Sequence, residues 1–429
     1  MVAGKDVCLR RLSKGDRALE VRFNRLLGNA KVTAERIIES WSESTVAAVE
    51  GCHVLAIQDS SEIHFNTTPR HRRGLGEIGM GNNHGVLLHP MLAVDADNGA
   101  CLGLLSGEVW TRKGRQTVSH DLRDLSDKES QRWIATVLAA KPLLVRAAMV
   151  TVLGDRESDI FALYASAAEQ HFHIIARSMH DRKLADSGGL YAASDAMPAV
   201  DRRAIPLPAR SQRAARLAHL ELRFGAIELA RPQSKFLRHL PKSLPLTVVD
   251  VREINAGSGV EPLHWRLLTS HPLANAEDAW RVVDWYKQRW IIEQFFRVLK
   301  TQGFRLEDSQ IGTADRLIKL VAIAAKAAII TIQLLQARSG SQQPVHIAFG
   351  ASEVIALSAL NQQLEARTKR LKNPHLPGSL AWAAWIIGRL GGWDGYPSSK
   401  PPGPVTFKNG LEYFRAVAIG WSLRDLCMP

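Results

Sequence analysis

The segment from Trp285 to Lys300, WYKQRWIIEQFFRVLK, decides how we interpret the rest of this chain. It contains no Gly or Pro, and its apolar residues recur with the spacing of an amphipathic helix. The opposite face carries one acid, one phenol and three cations, which follow one another at steps of 3, 4, 4 and 3 residues: Tyr286, Arg289, Glu293, Arg297 and Lys300. At about 100° per residue, these five side chains fall within a sector of roughly 80°.

A polar stripe of this kind is usually just the solvated face of a helix, and the helix alone leaves that interpretation open. An acid placed among three cations and a phenol is a less ordinary composition. Glu293 could hold a metal ion while the neighbouring cations hold phosphate groups. The remaining metal ligands would then have to come from other parts of the chain.

Length and charge narrow the classes of protein. The chain has 429 residues, of which 46% are hydrophobic, and two or three domains are expected at this length. The 55 Lys and Arg residues outnumber the 42 acids, and the net charge is +13. This excess favours a polyanionic partner such as DNA, RNA or an anionic membrane, although a merely basic protein is the alternative.

Secretion and membrane insertion are disfavoured. The N-terminal stretch MVAGKDVCLRRLSKGD lacks an apolar core of signal-peptide length. The most apolar run, LIKLVAIAAKAAIITIQLL, contains Lys319 and Lys326 and predicts a buried helix rather than a membrane span. The four cysteines form no CxxC pair, which argues against a zinc ribbon and favours a reducing cytosol. Nucleic acid is therefore the favoured polyanion.

The first third of the chain predicts short helices followed by a meander of strands. Residues 1–50 are helical and basic, with Thr33 as an N-cap. HVLAIQDSS predicts a buried strand that ends at Asp59, and the Arg- and Gly-rich residues 66–84 predict a loop. The strand-like runs GVLLHPMLAVDAD and ACLGLLSGEVWTR are joined by a turn, and a helix capped by Ser126 follows over about 126–140.

The middle of the chain alternates between strand and helix. AAMVTVLGDRESDIFALYASAAEQ predicts a strand, a turn and a helix, with Asp155 at the carboxyl end of the strand, and HFHIIARS predicts another strand. The segment 180–270 has the alternating pattern of a β-rich insertion. Further helices are predicted over about 276–302, 313–365, 378–391 and 408–422.

This order of elements predicts a mixed α/β fold. We divide the chain into a shortened helical DNA-binding region over 1–50, a catalytic core over 51–302 and a helical C-terminal region over 303–429. The β-rich insertion lies within the core, and we expect the C-terminal helices to mediate dimerisation.

Three acids form the candidate site. Asp59 and Asp155 both follow predicted strands, and open α/β sheets carry their active groups outside the carboxyl ends of strands. Together with Glu293 they would provide the carboxylates that two Mg²⁺ ions need, and such a pair can activate a water or a 3′ hydroxyl. Each aspartate alone has an ordinary interpretation, as a helix cap for Asp155 and as a turn residue for Asp59. The inference rests on the three acids together.

The pattern Y-x2-R-x3-E-x6-K, formed by Tyr286, Arg289, Glu293 and Lys300, resembles the signature of bacterial DDE transposases of the insertion-sequence-four family. That family includes the cut-and-paste transposase of the transposon-five element. Other segments resemble the same family in the same order: LAIQDSS, GLGEIGMGNNHGVLLHPMLAVD, DKESQRW, GDRESDI, ARSMHDRK, WRLLTS and LAWAAWIIGRLGGW. The similarity extends over nearly the whole chain.

The resemblance implies a ribonuclease-H-like core with a β-rich insertion, and a triad of Asp59, Asp155 and Glu293 that binds Mg²⁺ or Mn²⁺, as two ions. Trp265 takes the place of a tryptophan that stacks on a flipped base during hairpin formation, and a core position on a strand is the alternative for this indole. The resemblance also implies backbone contacts to the transposon end from five residues: Arg177, Tyr286, Arg289, Arg297 and Lys300.

The same resemblance implies the partners and the compartment. The chain would act on double-stranded DNA, both transposon-end inverted repeats and target DNA, as a homodimer that pairs two DNA ends through its C-terminal helices. It would work in the bacterial cytoplasm, in association with the nucleoid. Our main hypothesis is therefore a DNA transposase.

The N-terminal region departs from the family pattern. Family members separate a G-D-x-R stretch from a Y-R-F-like stretch, whereas GDRALEVRFNRLLGNAKVTAERII runs the two together. We expect that much of the helix bundle that recognises transposon ends is missing. Two alternatives follow: a dimerising inhibitor of a full-length transposase, and a DNA nuclease of the same fold without strand transfer.

Overall fold

The computed structural model describes residues 7–13, 15–65, 74–79, 83–112, 129–207, 215–257, 259–365, 372–396 and 398–427, with side chains as far as residue 421. The predicted loop over 66–84 and the predicted cap Ser126 lie mostly or wholly outside these ranges. The helices are α1 Leu9–Leu12, α2 Arg17–Gly28, α3 Ala34–Glu39, α4 Thr45–Ala48, α5 Gln131–Ala140, α6 Phe161–Ala167, α7 Leu190–Ala196, α8 Ala276–Gln288, α9 Trp290–Arg297, α10 Ala314–Ala337, α11 Ala351–Leu364, α12 Leu380–Leu390 and α13 Pro404–Cys427.

The strands alternate with these helices only in the first half of the chain. They are β1 His53–Gln58, β2 Ser61–His64, β3 Gly76–Glu77, β4 His84–Asp95, β5 Cys101–Trp110, β6 Met149–Gly154, β7 Phe172–Arg177, β8 Asp201–Leu207, β9 Arg216–Ala230, β10 Ser243–Ile254 and β11 His264–Thr269. The predicted order agrees with the longer elements, but the structure also has β2, β3 within the predicted loop, and α7 within the segment predicted to be β-rich.

All of these strands belong to one mixed sheet. The order across it is β2-β4-β1-β6-β7-β11-β10-β9-β8, with β3 and β5 also paired to β4. Strand β1 runs parallel to β6 and antiparallel to β4, and β6 runs parallel to β7. The carboxyl ends of β1, β6 and β7 therefore meet at one edge, where active groups of α/β sheets lie. The predicted mixed α/β class is confirmed, while its ribonuclease-H-like character stays a prediction.

The β-rich segment over 180–270 continues this sheet. Strand β11 pairs antiparallel with β7, with Leu268 opposite Ala176, and β10, β9 and β8 follow as antiparallel neighbours. The sequence predicted the strands of this segment from their alternating pattern. It did not predict that β11 attaches the segment directly to the central parallel strands, because that pairing joins residues about 90 positions apart.

Alternation along β1 gives the sheet two different faces. Leu55 and Ile57 pack in the core that also contains Phe295 of α9. Val54 and Ala56 point the other way, into the core that contains the apolar residues of α5 and α6. Since successive strand residues alternate, the next position on the α9 face is Asp59.

The apolar run predicted as a buried helix is α10. Among the residues that the structure describes, α10 is the helix that is long and apolar enough to span a membrane, and most of it is buried inside the protein. Lys319 pairs with Asp315 at 2.8 Å and also donates to the Leu27 carbonyl, so its ammonium is satisfied although it is buried. The prediction of a buried helix is confirmed.

One predicted helix cap is confirmed, and two helix starts differ from the predictions. Thr33 caps α3 as predicted, since its hydroxyl accepts from the Arg36 N–H at 3.3 Å. The helix predicted over 126–140 is described as helical only from Gln131. The last helix begins four residues earlier than predicted, at Pro404, because proline is well tolerated in the first turn, where its missing N–H leaves no bond unmade.

The segment predicted as one helix over 276–302 is divided. Helix α8 ends at Gln288 and α9 begins at Trp290, while a π-helical turn covers Val298–Gln302. At Arg289 the backbone N–H bonds to the Tyr286 carbonyl three residues back, which tightens the chain into a 3₁₀ step. The five-residue polar stripe therefore does not follow ideal helical spacing.

Candidate active site

The two aspartates lie at neighbouring strand ends, as the sequence predicted. Asp59 directly follows β1 and Asp155 directly follows β6, and these strands are parallel with Ile57 opposite Leu153. Asp59 Oδ1 accepts from the Ser60 N–H at 2.8 Å, and Asp155 Oδ1 accepts from the Glu157 N–H at 2.8 Å. The second bond makes Asp155 the N-cap of the 3₁₀ turn Arg156–Ser158, so the ordinary interpretation of Asp155 as a helix cap is confirmed for that turn, whereas α6 begins later, at Phe161.

Arg289 joins the first aspartate to the glutamate. Its Nη1 lies 3.0 Å from Asp59 Oδ2, and its Nη2 lies 2.9 Å from Glu293 Oε1. The exposed fractions of the three side chains are 12% for Arg289, 17% for Asp59 and 35% for Glu293, so water screens the pair with Asp59 only weakly. The rigid fork of the guanidinium fixes the separation of the two carboxylates.

The acidity of Asp59 is strongly perturbed. Burial is the largest cause and the negative charge of Asp155 is the next, and together they raise the pKa of Asp59 from 3.8 to about 7. Arg289 and the Ser60 N–H act in the opposite direction without cancelling them. Asp59 is therefore a buried acid with too little positive charge around it. Such groups concentrate at functional sites, although ion-pair networks also produce them.

A divalent cation fits these residues by charge and by ligand type. Carboxylate oxygens are the ligands that Mg²⁺ and Mn²⁺ prefer, and a cation between Asp59 and Asp155 would relieve the repulsion that raises the pKa of Asp59. The arrangement is not a finished metal site, however. Within the described residues, no group of three or more His, Cys, Asp or Glu lies close enough to hold a metal ion. Arg289 lies between Asp59 and Glu293 instead.

Besides Arg289, three of the residues predicted to contact DNA lie around the acids. Burial raises the pKa of the Tyr286 phenol, whereas the nearby charges of Arg289 and Arg177 lower it. Arg177, the last residue of β7, donates to the His264 carbonyl at 2.8 Å. Trp265 packs edge to face on Tyr286, with ring centroids 5.8 Å apart. It is half-buried on β11.

The two remaining cations of the stripe lie farther along the segment. Arg297 is exposed at the end of α9. Lys300 is half-buried in the π-helical turn, where burial lowers its pKa while the charges of Glu307 and Glu62 raise it. Neither cation pairs with Asp59, Asp155 or Glu293 among the described contacts. Of the three cations in the stripe, Arg289 therefore pairs with the predicted triad and the other two do not.

Sequence reasoning missed two groups beside the site. Glu157 lies two residues after Asp155, and burial followed by the charge of Asp155 raises its pKa. His89 of β4 is fully buried and bonds to side chains on both sides of Asp59. A signal existed for both: a second acid in GDRESDI, and a single ionisable residue inside the otherwise apolar run VLLHPML.

Comparison with known families identifies a match that includes two of the three acids. A family model described as a transposase DDE domain matches residues 113–330, just over half of the chain. The matched range contains Asp155 and Glu293, and Asp59 lies before it.

Comparison with solved structures gives a distant likeness. A cryo-EM structure of the piggyBac transposase synaptic complex with hairpin DNA is 9% identical in sequence and has a TM-score of 0.37. The alignment covers 89% of this chain and 55% of that chain, so this chain spans little more than half the length of its counterpart. At this score the likeness carries no argument about fold or activity.

Proposed function

Because this chain belongs to the family of transposase DDE domains, we propose that it is a DNA transposase of the insertion-sequence-four family with a ribonuclease-H-like core. The observation that carries the proposal is the convergence of Asp59, Asp155 and Glu293 at one edge of the sheet. Asp59 and Asp155 directly follow β1 and β6, and Glu293 lies within α9, where Arg289 links it to Asp59.

In this proposal Asp59, Asp155 and Glu293 hold two Mg²⁺ or Mn²⁺ ions. When bound, the ions supply the activation of the attacking oxygen and stabilise the leaving oxygen of the phosphodiester. The raised pKa of Asp59 supports this role, since it marks a carboxylate whose neighbours leave negative charge uncompensated. Arg289 would be the internal cation that sets the spacing between Asp59 and Glu293.

The surrounding residues would bind and orient DNA. Arg177 and Tyr286 line the approach to the acids and would contact backbone phosphates, as would Arg297 and Lys300 beyond α9. Trp265 lies against Tyr286 with its ring half-exposed, which suits stacking on an unpaired base. Contacts with phosphates confer affinity and position, so this part of the surface would bind many sequences.

The chemistry would be a series of phosphoryl transfers at one site. Water attacks a phosphodiester at the transposon end, and the freed 3′ oxygen leaves as a hydroxyl. That hydroxyl attacks the opposite strand, which closes a hairpin and releases the flanking DNA. Water then reopens the hairpin, and the regenerated 3′ hydroxyl attacks target DNA. Positioning and charge stabilisation can serve every step in turn.

The partners in this proposal are double-stranded DNA and a second copy of the chain. The net charge of +13 supports binding to a polyanion. Exposed apolar side chains in the C-terminal helices, among them Ile355, Val405 and Tyr413, support pairing of two subunits there. The expected location is the bacterial cytoplasm.

An excision assay tests the proposal. The purified chain is incubated with Mg²⁺ and a plasmid that carries a marker between the native flanking repeats, beside Glu293→Ala and the charge-matched control Asp284→Asn. Asp284 is 45% exposed and pairs with Arg203 and Lys287, away from the acids. We expect hairpin-ended fragments from wild type and Asp284→Asn, and none from Glu293→Ala.

Other outcomes of this assay would revise the proposal. Equal cleavage by Glu293→Ala would contradict the assigned site. Cut ends that are never joined to target DNA would indicate a nuclease. A folded wild-type chain that cuts nothing, but blocks an active relative when the two are mixed, would indicate the dimerising inhibitor.

A further inference from the structure

Strand β4 changes partners beside Asp59. It pairs with β1 as far as Met91, which lies opposite Gln58, and it pairs with β2 from Leu88, which lies opposite Ser61. His89 lies between these two pairings, at the point where the chain passes from β1 through Asp59 into β2. The register therefore places His89 directly across from the β1–β2 junction.

His89 binds the residues on both sides of Asp59. Its Nδ1 lies 2.8 Å from Ser60 Oγ, and its Nε2 lies 3.2 Å from Gln58 Oε1. Because a carboxamide oxygen only accepts, Nε2 carries the proton, and Nδ1 accepts from the Ser60 hydroxyl. The Ser60 N–H in turn donates to Asp59 Oδ1 at 2.8 Å. One imidazole thus spans three consecutive residues.

The bonds lie on the face of the sheet opposite to the acids. Gln58 and Ser60 share one face because strand side chains alternate, and the same alternation directs Asp59 towards α9. On its own face the imidazole packs edge to face against Trp133 of α5, with ring centroids 4.7 Å apart. His89 and Gln58 are both 0% exposed, so the bond between them does not compete with water, whereas the bond to Ser60 is partly buried.

The imidazole is held in its neutral form. Burial is the largest cause and the positive charge of Arg132 the second, and they lower the pKa of His89 to about 3. A neutral ring has one donor and one acceptor, and both are used here. Both ring nitrogens of His89 are therefore occupied, so neither transfers a proton nor binds a metal ion, and the ring acts as a rigid support for the residues that it binds.

We propose that His89 is a positioning residue that fixes the Asp59 carboxylate at the edge of the sheet by binding Gln58 and Ser60 from the opposite face. This inference rests on the function proposed for Asp59. Residues that orient metal-binding carboxylates without touching the metal typically change metal affinity or activity by about 10- to 100-fold when replaced.

The test compares two buried histidines at opposite ends of the same sheet. His89→Leu removes both bonds beside Asp59. His271→Leu is the matched control: His271 is also buried, lies 2.8 Å from Thr151 Oγ1 and stacks on His173, far from the strand ends that carry the acids. Thermal unfolding, Mn²⁺ affinity by calorimetry, DNA affinity in EDTA and the single-turnover cleavage rate are measured for each variant.

Both variants are expected to unfold at a lower temperature than wild type. Only His89→Leu should bind Mn²⁺ about 10- to 100-fold more weakly and cleave DNA slower by a similar factor, with its DNA affinity within about twofold of wild type. Ser60→Ala removes one of the two bonds and should show an intermediate loss. Adding Ser60→Ala to His89→Leu should reduce the Mn²⁺ affinity and the cleavage rate little further, because the bond between Ser60 and His89 is already lost in His89→Leu.

Each result decides the proposal. A folded His89→Leu with wild-type Mn²⁺ affinity and cleavage rate would overturn it, as would an equal loss in His271→Leu. Should His89→Leu fail to fold, unchanged Mn²⁺ affinity in Ser60→Ala would overturn it instead. Wild-type protein that neither binds Mn²⁺ nor cleaves DNA would overturn the proposed function and the role of His89 with it. Wild-type activity alongside an unaffected His89→Leu would overturn the role of His89 alone.

Discussion

Asp59 follows β1 and Asp250 lies within β10 of the same sheet, both with little access to water, yet the pKa of Asp59 is raised and that of Asp250 is lowered. The Asp59 side chain is 17% exposed and that of Asp250 is 0% exposed. Burial raises the pKa of both carboxylates, so burial does not distinguish them.

The neighbours do distinguish them. Asp250 accepts from Arg252 at 2.7 Å, from His264 at 3.0 Å, from Arg266 at 2.8 Å and also from the Ser194 hydroxyl. Against the effect of burial, these bonds and the charge of Arg266 lower the pKa of Asp250 far below its ordinary value.

Asp59 has one cation, which it shares with Glu293, and it also faces the charge of Asp155. A fully compensated acid is a structural anchor, whereas an under-compensated acid has capacity left for a metal ion or a proton. The same two residue types, aspartate and arginine, thus serve different purposes at the two places.

The largest expected effect concerns cleavage. Asp155→Asn should lower the rate of DNA cleavage by about 10³-fold or more, since it removes a ligand from a site that contributes several kcal/mol to the transition state. Single-turnover cleavage of an end-containing duplex measures it, with Asp284→Asn as the charge-matched control and DNA affinity checked in EDTA. A rate within tenfold of wild type would remove Asp155 from the site and weaken the contrast with Asp250.

The next effect concerns stability at neutral pH. Asp250→Asn should lower the free energy of unfolding by about 3–5 kcal/mol, because it leaves the buried Arg266 and the partly buried Arg252 beside a neutral group. Asp59→Asn should not destabilise the protein in EDTA, because its carboxylate is poorly compensated. Urea unfolding at pH 7.5 measures both, and a larger loss for Asp59→Asn would reverse the comparison.

The pH dependence of the free energy of unfolding tests the same contrast between Asp59 and Asp250. The pKa of Asp59 is raised from 3.8 to about 7 in the folded protein, so the folded state binds the proton more tightly in that range. The contribution of Asp59 to the free energy of unfolding is therefore fully present below about pH 4, and it is lost as the pH rises through 7. Relative to wild type in EDTA, Asp59→Asn should gain about 2–4 kcal/mol between pH 4 and pH 8.

The signs are opposite for the second aspartate. Because the pKa of Asp250 is lowered in the folded protein, this carboxylate adds to the free energy of unfolding at pH values above the ordinary aspartate pKa. That contribution is lost as the pH falls. Urea unfolding at a series of pH values gives the slopes for both variants. Parallel curves for Asp59→Asn and wild type would show that Asp59 is not perturbed in the folded protein.

The smallest expected effect is on the rate of hairpin formation, and it concerns Trp265, whose indole lies beside the acids. Trp265→Ala should leave nicking of the first strand close to wild type and slow hairpin formation by about 5- to 150-fold, which corresponds to a stacking contribution of about 1–3 kcal/mol. Gel analysis of nicked and hairpin products separates the two steps. An equal slowing of both would assign Trp265 to packing against Tyr286 rather than to a flipped base.

The sequence predicted the strand ends at Asp59 and Asp155 because each acid terminates a short apolar run of the length typical of a buried strand. It predicted that Glu293 lies on a helix from local spacing. It did not predict the 3₁₀ step at Arg289 or the π-helical turn after Arg297, because the prediction placed the polar stripe on an ideal α-helix.

Local sequence patterns also could not predict contacts between residues that are far apart in the chain. Arg289 was predicted to contact DNA, and its bond to Asp59 joins residues 230 positions apart. The bonds of His89 and the cluster around Asp250 likewise depend on which strands become neighbours. Periodicity determines which face of a strand is apolar, whereas the partner across that face is determined by the topology of the whole sheet.

Mn²⁺ binding is the measurement that tests the central claim most directly. Calorimetric titration at pH 7.5 compares wild type with Asp155→Asn and Asp250→Asn, each below its unfolding temperature. We expect up to two ions per chain for wild type and Asp250→Asn, and at least one site lost in Asp155→Asn. Equal binding by wild type and Asp155→Asn, or no binding by a folded wild-type chain, would contradict the assignment of Asp59, Asp155 and Glu293 as the metal-binding acids of a transposase.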